Sequence, residues 1–418
     1  MADKISRLQD RKVMRLDELG IIVTGKTPST KIPDHFDGDT PFITPSDMDG
    51  RRIISKTMRY LTAKGVLSVS GAQIPKGAIM VSCIGSDMGK VAIAGRAAVT
   101  NQQINSIIVS KDFSNLYVYY NLCMRKAEFQ HLASGGSALP ILNKRHFSQL
   151  QIAIPPLKEQ QAIACILGAL DDRIELNRRM NRTLEEMARA LFKSWFVDFE
   201  PVRYKAAGQP PPGLAPDIAA LFPDSFQDSE LGEIPKGWNI TPLGKICELA
   251  YGKGLKTSER RPGKVPVMGS NGQVGWHDEA LVRGPGIIVG RKGNPGIVTW
   301  IQSDFFPIDT TFYVNTKIDH VPLTYLFFAL KYLNLQNLGA DSAVPGLNRN
   351  IAYMSKLLLP FPYILDNFNK ITFVLFEKIY KSDQLNIDLI NLRDALLPKL
   401  ISGELRVPDA ERIVGRCT

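Results

Sequence analysis

Residues 155–200 read PPLKEQQAIACILGALDDRIELNRRMNRTLEEMARALFKSWFVDFE. Taken at alternating steps of four and three, the stretch presents Ile163, Leu167, Leu170, Ile174, Asn177, Asn181, Leu184, Ala188, Leu191 and Trp195. That is an apolar seam with a polar centre, the pattern of a coiled-coil helix. The pattern returns 205 positions later as Phe368, Thr372, Leu375, Ile379, Ser382, Asn386, Leu389, Arg393, Leu396 and Leu400. Identities go with the register: Ile174 with Ile379, Asn181 with Asn386, Leu184 with Leu389, Leu191 with Leu396. Upstream, Ser137-Ala138, Pro140 and Leu142-Asn143 meet Ser342-Ala343, Pro345 and Leu347-Asn348 without a gap. A long helix occurring twice, each copy preceded by a segment of domain size, marks a duplicated module.

With 418 residues, 44% of them hydrophobic, the chain can bury real cores and is expected to form two domains or more. No apolar run reaches the roughly 18 residues that a membrane span needs. The opening MADKISRLQDRK is too charged for a signal peptide. The five cysteines (Cys83, Cys123, Cys165, Cys247, Cys417) are odd in number and never spaced as CxxC. This pattern predicts reduced thiols in a cytoplasm and argues against a zinc site. The net charge of +10 is unevenly placed: +8 over residues 1–155, −1 over 156–200, −2 over 201–230, +5 over 231–360 and zero beyond. Two basic modules on a near-neutral frame suggest a polyanion at both modules, although surface lysine alone can produce such a balance.

In the first module, Ile21–Val23, Ala78–Val81, Val91–Ala94 and Ile107–Ser110 read as strands separated by glycine turns. Leu116–Ala133 reads as a helix broken by Ser134-Gly135-Gly136-Ser137. Gln151–Ile154 is a last strand before the Pro155-Pro156 that opens the long helix. Residues 20–27, GIIVTGKT, match the phosphate-cradling G-x-x-x-x-G-K-[ST] pattern. That chemistry needs a strand before the loop and a helix after it. Here the apolar run lies inside the supposed loop, and Pro28 and Pro33 follow it. A strand running into a Gly-Lys-Thr-Pro turn fits better.

Residues 201–237 change composition, with Pro210-Pro211-Pro212, Pro216, Pro223 and Pro235 among Ala, Gly, Asp and Ser. They read as a semi-extended connector poor in regular structure. The second module repeats the style of the first: Ile287–Val289, Gly296–Trp300 and Thr311–Val314 as strands, Thr324–Leu335 as a helix. Gly269–Gly272 and Gly290–Gly296 read as exposed turns carrying donors, and Ser82–Lys90 is the counterpart of the latter. Such loops can be plain scaffold turns. They also suit DNA, because Arg and Lys reach guanine edges and phosphates, Asn and Gln pair with adenine, and Gly admits close backbone. The candidates are Lys26, Ser86, Lys90, Asn101 and Gln102 in the first module, and Asn271, Arg283, Arg291, Lys292 and Asn294 in the second.

No catalytic set is visible. The five histidines have no metal-ligand spacing, and neither HExxH nor GxSxG occurs. An adenine methylase should show an Asn/Asp-Pro-Pro-aromatic motif, and Asn294-Pro295-Gly296 lacks the second proline and the aromatic.

Leu139–Asn143, then Ile152–Gln160 (IAIPPLKEQ), then a long helix ending in Leu-Phe-Lys-Ser-Trp-Phe, resemble the central shared region of specificity subunits of type I restriction–modification enzymes. Leu231–Trp238 (LGEIPKGW) and Leu396–Leu405 (LLPKLISGEL) resemble their second target-recognition domain entry and closing helix. Two departures stand out: Pro-Phe-Pro-Tyr with no following Glu-Gln opens the second helix, and Pro398 should end or kink it a turn early.

The resemblance implies an α+β chain with an internal pseudo-two-fold repeat. Two mixed, mainly β target-recognition domains would be joined by two long helices packed as an antiparallel coiled coil. The expected order is 1–154 first recognition domain, 155–200 first helix, 201–230 connector, 231–360 second recognition domain, 361–405 second helix and 406–418 tail. The seam of that coiled coil would comprise Leu167, Leu170, Ile174, Asn181, Leu184 and Leu191 with Leu375, Ile379, Asn386, Leu389 and Leu396. It also implies a cytoplasmic, non-catalytic subunit reading a split, asymmetric site on double-stranded DNA. Two methylase subunits would bring S-adenosylmethionine, and motor–nuclease subunits would use ATP; this chain itself would bind no cofactor and no metal. The rival readings are a coiled-coil scaffold for proteins, a P-loop NTPase and a stand-alone methylase.

Overall fold

The computed structural model describes residues 11–133, 141–339 and 346–414. The glycine break at 134–137, the repeat positions Ala138, Pro140, Ser342, Ala343 and Pro345, and Cys417 lie outside the described residues. Contacts divide the chain into two units. The first runs to Leu176 and resumes at Asn386; the second is Asn177–Leu385.

The strands of the first unit are β1 (Lys12–Arg15), β2 (Gly20–Thr24), β3 (Phe36–Ile43), β4 (Ile53–Ile54), β5 (Arg59–Leu61), β6 (Gln73–Ile74), β7 (Ile79–Ser82), β8 (Val91–Ala94), β9 (Ala98–Thr100), β10 (Ile104–Val109) and β11 (Gln151–Ile154). One sheet has the order β2-β10-β7-β8-β4 and a second the order β5-β3-β9-β6, while β1 pairs with β11. The second unit holds β12 (Phe226–Gln227), β13 (Ile234–Pro235), β14 (Asn239–Pro242), β15 (Cys247–Tyr251), β16 (Val265–Gly269), β17 (Gly272–His277), β18 (Gly286–Gly290), β19 (Val298–Ile301), β20 (Phe306–Pro307), β21 (Thr311–Thr316) and β22 (Lys356–Leu359). Its sheets have the orders β15-β21-β18-β19 and β17-β16-β20, while β14 pairs with β22.

The duplication is therefore topological. β15, β21, β18 and β19 repeat β2, β10, β7 and β8, strand for strand and antiparallel throughout. β16 with its parallel neighbour β20 and antiparallel neighbour β17 repeats β3 with β9 and β5. Little sequence identity accompanies this, because a strand needs only the right apolar face and turn residues.

The two long helices are Leu157–Phe196 and Pro362–Ser402. Each unit holds one half of each. In the first unit, Leu167, Leu170 and Ile174 share a core with Leu389, Leu396 and Leu400, all nearly inaccessible. Each such side chain contributes roughly 1.5–3 kcal/mol on burial. Asp171 there accepts hydrogen bonds from Arg393 Nη1 at 2.8 Å and from the Tyr120 hydroxyl at 2.7 Å. In the second unit, Asn181 Nδ2 donates to Asp383 Oδ1 at 2.7 Å. Phe192, Trp195 and Phe196 surround Phe368, with ring centroids 5.1–6.1 Å apart. Early residues of one helix meet late residues of the other in both units, so the pairing is antiparallel. In the second unit Leu184, Leu191, Leu375 and Ile379 are half-buried along the seam, and its Asn177, Asn181 and Ser382 are buried, as is Asn386 in the first unit. Polar groups at seam positions fix register at some cost in stability.

The helix ends are held by named contacts. Gln160 is buried, donating to the Pro155 carbonyl at 2.8 Å and accepting from Ser114 N at 2.9 Å. Arg11 donates to Glu159 at 2.8 Å and to the carbonyls of Leu400 and Ile401, which a helix C-terminus leaves without partners.

Several expectations need correction. The first long helix stops at Phe196, short of Glu200. Phe199 takes a left-handed φ of 54° and lays its ring against Phe226 and Trp238. A new helix, Glu200–Ala206, starts there. The connector is not an extended spacer: it contains that helix and Pro216–Ala220, and it buries Val202 and Phe222 in the core of the second unit. Apolar anchors outweigh proline content there. Leu116–Ala133 is two helices, Asn115–Cys123 and Lys126–Ala133, because Arg125 bonds back to the Asn121 side chain and the Leu122 carbonyl. Pro398 sits inside the second long helix without ending it. Burial of Leu396, Leu400 and Ile401 around it outweighs the one backbone bond that proline removes. In the tail, Val407–Val414 is helical and Ala410 joins the core of the first unit.

Candidate nucleic-acid interface

Antiparallel neighbours put their connecting loops at one end of a sheet. In the first unit these are the turn after β2, the β9–β10 turn and the β7–β8 loop. In the second they are the turn after β15, the β20–β21 turn and the β18–β19 loop. The candidate residues lie mostly on these loops.

In the first unit Gly25 N donates to the Ile104 carbonyl and Lys26 N to the Thr100 carbonyl, which brings Lys26 beside Asn101 and Gln102. No side chain fits at Gly25, because a Cβ would stand 1.9 Å from the Asn101 carbonyl oxygen. Lys26 and Gln102 are exposed, and Gln102 accepts from the Thr27 hydroxyl. Asn101 is only 8% exposed and spends both amide atoms on Gln103, so its amide is turned inward. Ser86 lies in the short turn Gly85–Asp87. The Lys90 ammonium is held by Asp87 at 2.8 Å and the Pro45 carbonyl at 3.2 Å. A cation so engaged must give up those partners before it meets DNA.

In the second unit Asn294 Nδ2 donates to Asn271 Oδ1 at 2.7 Å, joining the β16–β17 and β18–β19 turns. Lys292 is exposed and Arg291 half-buried in the same loop. Arg283 is exposed but precedes β18, whereas Arg291 follows it, so the strand separates the two.

Two residues at this end are additions that the tertiary structure makes. Tyr251 closes β15, and the Arg349 guanidinium lies 4.8 Å from its ring centroid. A recurrent signal marks both. Tyr251-Gly252-Lys253 repeats Thr24-Gly25-Lys26, down to the backbone bonds of Gly252 and Lys253 to the β20–β21 turn. Leu347-Asn348-Arg349 repeats Leu142-Asn143-Lys144, and each asparagine caps a short helix with its side chain. In this setting residues 20–27 are plainly not a nucleotide loop: Gly20–Thr24 is a sheet strand and no α-helix follows Thr27 before Ala63. Among the described residues no group of three or more His, Cys, Asp or Glu could hold a metal, and no helix is long and apolar enough to cross a membrane.

Comparison with known proteins gives one consistent result. Residues 9–186 match the family model described as type I restriction modification DNA specificity domain. The chain is 29% identical over 428 aligned residues to the type I restriction enzyme MjaIX specificity subunit of Methanocaldococcus jannaschii, covering 96% of this chain and 95% of that protein. It is 26% identical to the HindI specificity subunit of Haemophilus influenzae, over 74% and 84% of the two chains. In fold it is similar to the crystal structure of a type I restriction–modification S subunit from M. genitalium, with a TM-score of 0.60 over 93% of this chain and 96% of that one, at 20% identity. With its duplicated modules and its paired long helices, the chain matches the type I restriction modification DNA specificity domain over residues 9–186 and is similar along nearly its whole length to a specificity subunit of a type I restriction enzyme.

Proposed function

We propose that this chain reads DNA sequence for a type I restriction–modification complex, each module reading one half of a split and asymmetric site. The observation that carries the proposal is the pairing of one repeated scaffold with two different sets of loop side chains at the same sheet end. Lys26, Gln102 and Lys90 stand there in one module, and Arg291, Lys292, Asn271 and Asn294 in the other. Equal scaffolds present their loops alike, while unequal side chains select different bases. The long helices carry the methylase subunits, which supply S-adenosylmethionine and the adenine chemistry. Motor–nuclease subunits that hydrolyse ATP complete the complex. This chain takes no part in bond-making and binds neither cofactor.

Methylome sequencing of cells carrying the chain with its methylase subunits tests the proposal. The expected product is a motif of two short, different half-sites separated by unspecified bases. A palindromic motif overturns the asymmetric reading. Saturable binding of S-adenosylmethionine or ATP to the full chain alone overturns the non-catalytic role. Binding to protein partners, with no competition by duplex DNA at low salt, would make the chain a protein scaffold.

A further inference from the structure

The end of β15 in the second module holds a charge arrangement that the described residues of the first do not repeat. Tyr251 is 49% exposed, and its ring carries two guanidiniums: Arg291 Cζ at 4.9 Å from the centroid and Arg349 Cζ at 4.8 Å. Phe312, the cross-strand partner of Tyr251, supports the ring with centroids 5.0 Å apart. Arg291 Nη1 donates to the Asp309 carbonyl at 3.0 Å, and Leu347 N donates to the Arg291 carbonyl at 3.0 Å, which brings the Arg349 segment alongside. Arg349 also lies 5.7 Å over Tyr353, whose hydroxyl is fixed by Leu249 N at 2.9 Å. Among the described residues no carboxylate pairs with either guanidinium, and the buried Arg349 Nε has no acceptor.

Two cations on one ring repel. Cation–π attraction at such a half-exposed site offsets part of that repulsion. What completes the arrangement is an anion between them. Arg291 Nη1 already serves the Asp309 carbonyl and Arg349 Nε is buried, so the remaining terminal N–H groups of the two guanidiniums are what an anion meets, and phosphate oxygens match that geometry.

The first module has neutral groups at the places of Tyr251, Phe312 and Arg291, and at that of Arg349 the exposed Lys144. Thr24 stands where Tyr251 does and Asn105 where Phe312 does, as cross-strand pairs of equivalent strands. Cys83 takes the place of Arg291, since its carbonyl accepts from Leu142 N as the Arg291 carbonyl accepts from Leu347 N. Thr24 Oγ1 donates to Asn105 Oδ1 at 2.7 Å, and Asn105 Nδ2 donates to Cys83 Sγ at 3.3 Å and to the Leu142 carbonyl at 3.2 Å. That network is closed on itself.

We infer that Tyr251, Arg291 and Arg349 form a phosphodiester clamp in the second module only, so the two halves of the bound duplex are held by unequal backbone contacts. The inference rests on the DNA-reading function proposed above. Arg291 and Arg349 contact the phosphate, and Tyr251 positions them.

The test is binding of the full chain to a mixed-sequence duplex across a salt series, with folding checked by circular dichroism. Each phosphate contact contributes about 0.9 to the slope of log affinity against log salt. The double variant Arg291→Gln, Arg349→Gln should lose about one to two from that slope and bind about tenfold weaker or worse at low salt. Tyr251→Phe should keep the wild-type slope and Tyr251→Ala should lower it. Arg291→Lys with Arg349→Lys keeps the charge, so weaker binding with the slope retained supports the clamp even if the glutamine variant is poorly folded. If the wild type binds duplex and the folded double variant has the same slope, the clamp is overturned and the DNA-reading function stands. If the wild type binds no duplex at low salt, both fall. Titration with inorganic phosphate at constant ionic strength separates the sources of the anion. Saturable binding that the double variant loses would assign the clamp to a free anion and overturn its assignment to DNA.

Discussion

The two modules use one scaffold and fill it differently. At the turn after the first edge strand both have Gly-Lys, both glycines meet a carbonyl oxygen too closely for any side chain, and both lysines are exposed. One position earlier they diverge. Thr24 joins a neutral network with Asn105 and Cys83, whereas Tyr251 supports two arginines. The ends of the long helices differ in the same way. In the first unit, Asp171 is the hub of an ionic set with Arg393, Tyr120 and Arg52. In the second, aromatic rings around Phe368 do that work. Backbone hydrogen bonding thus constrains turn and register, while the side chains on that frame are free to change chemistry.

The largest expected effect is at Phe368. Phe368→Ala empties a fully buried ring site and should cost about 3–5 kcal/mol in urea unfolding. Hydrogen exchange should place the loss within residues 177–385. A loss spread evenly over both units would mean that the aromatic cluster does not belong to one unit.

Asp171→Ala comes next, at about 1.5–3 kcal/mol, because it removes the acceptor shared by the Arg393 guanidinium and the Tyr120 hydroxyl, although Arg393 keeps Asp394 at 2.7 Å. The exchange signature should fall in the other unit. Protection unchanged around Arg52 and Tyr120 would show that the ionic set is ornamental to stability.

Gly25→Ala and Gly252→Ala test the shared frame. The added Cβ would lie 1.9 and 2.1 Å from the carbonyl oxygens of Asn101 and Ile308, so backbone must move in both. Each change should cost about 1–3 kcal/mol, and the two costs should agree within about 1 kcal/mol. A tolerated change in one module alone would break the equivalence of the two turns.

The smallest effect concerns Cys83. Burial pushes its thiol up to about 11, so the thiolate that attacks electrophiles is scarce at pH 8 and grows only as pH approaches that value. Iodoacetamide at pH 8 should therefore modify exposed Cys165 and spare Cys83, read by peptide mass spectrometry. Equal labelling would show that the neutral network opens readily.

The long helices and their duplication were legible in the chain because a helical seam is a local, periodic property: Ile163 to Trp195 and Phe368 to Leu400 need only their neighbours to declare a face. The strands at Gln151–Ile154 and Val91–Ala94 were legible for the same reason. Locality also produced the errors. Proline content suggested an extended connector, and only the docking of Val202 and Phe222 on a distant core revealed its helices. Pro398 reads as a stop until Leu400 and Ile401 are seen buried beyond it. The candidate interface divides along the same line. Basic and amide residues near glycine turns can be picked out from composition, so Lys26, Lys292 and Arg291 stood out. That Asn101 turns inward, that Lys90 is held by Asp87, and that Tyr251 gathers Arg291 and Arg349 are decided by strand register and loop closure. Those bring together groups far apart in the chain, and no periodicity along the sequence encodes such a meeting.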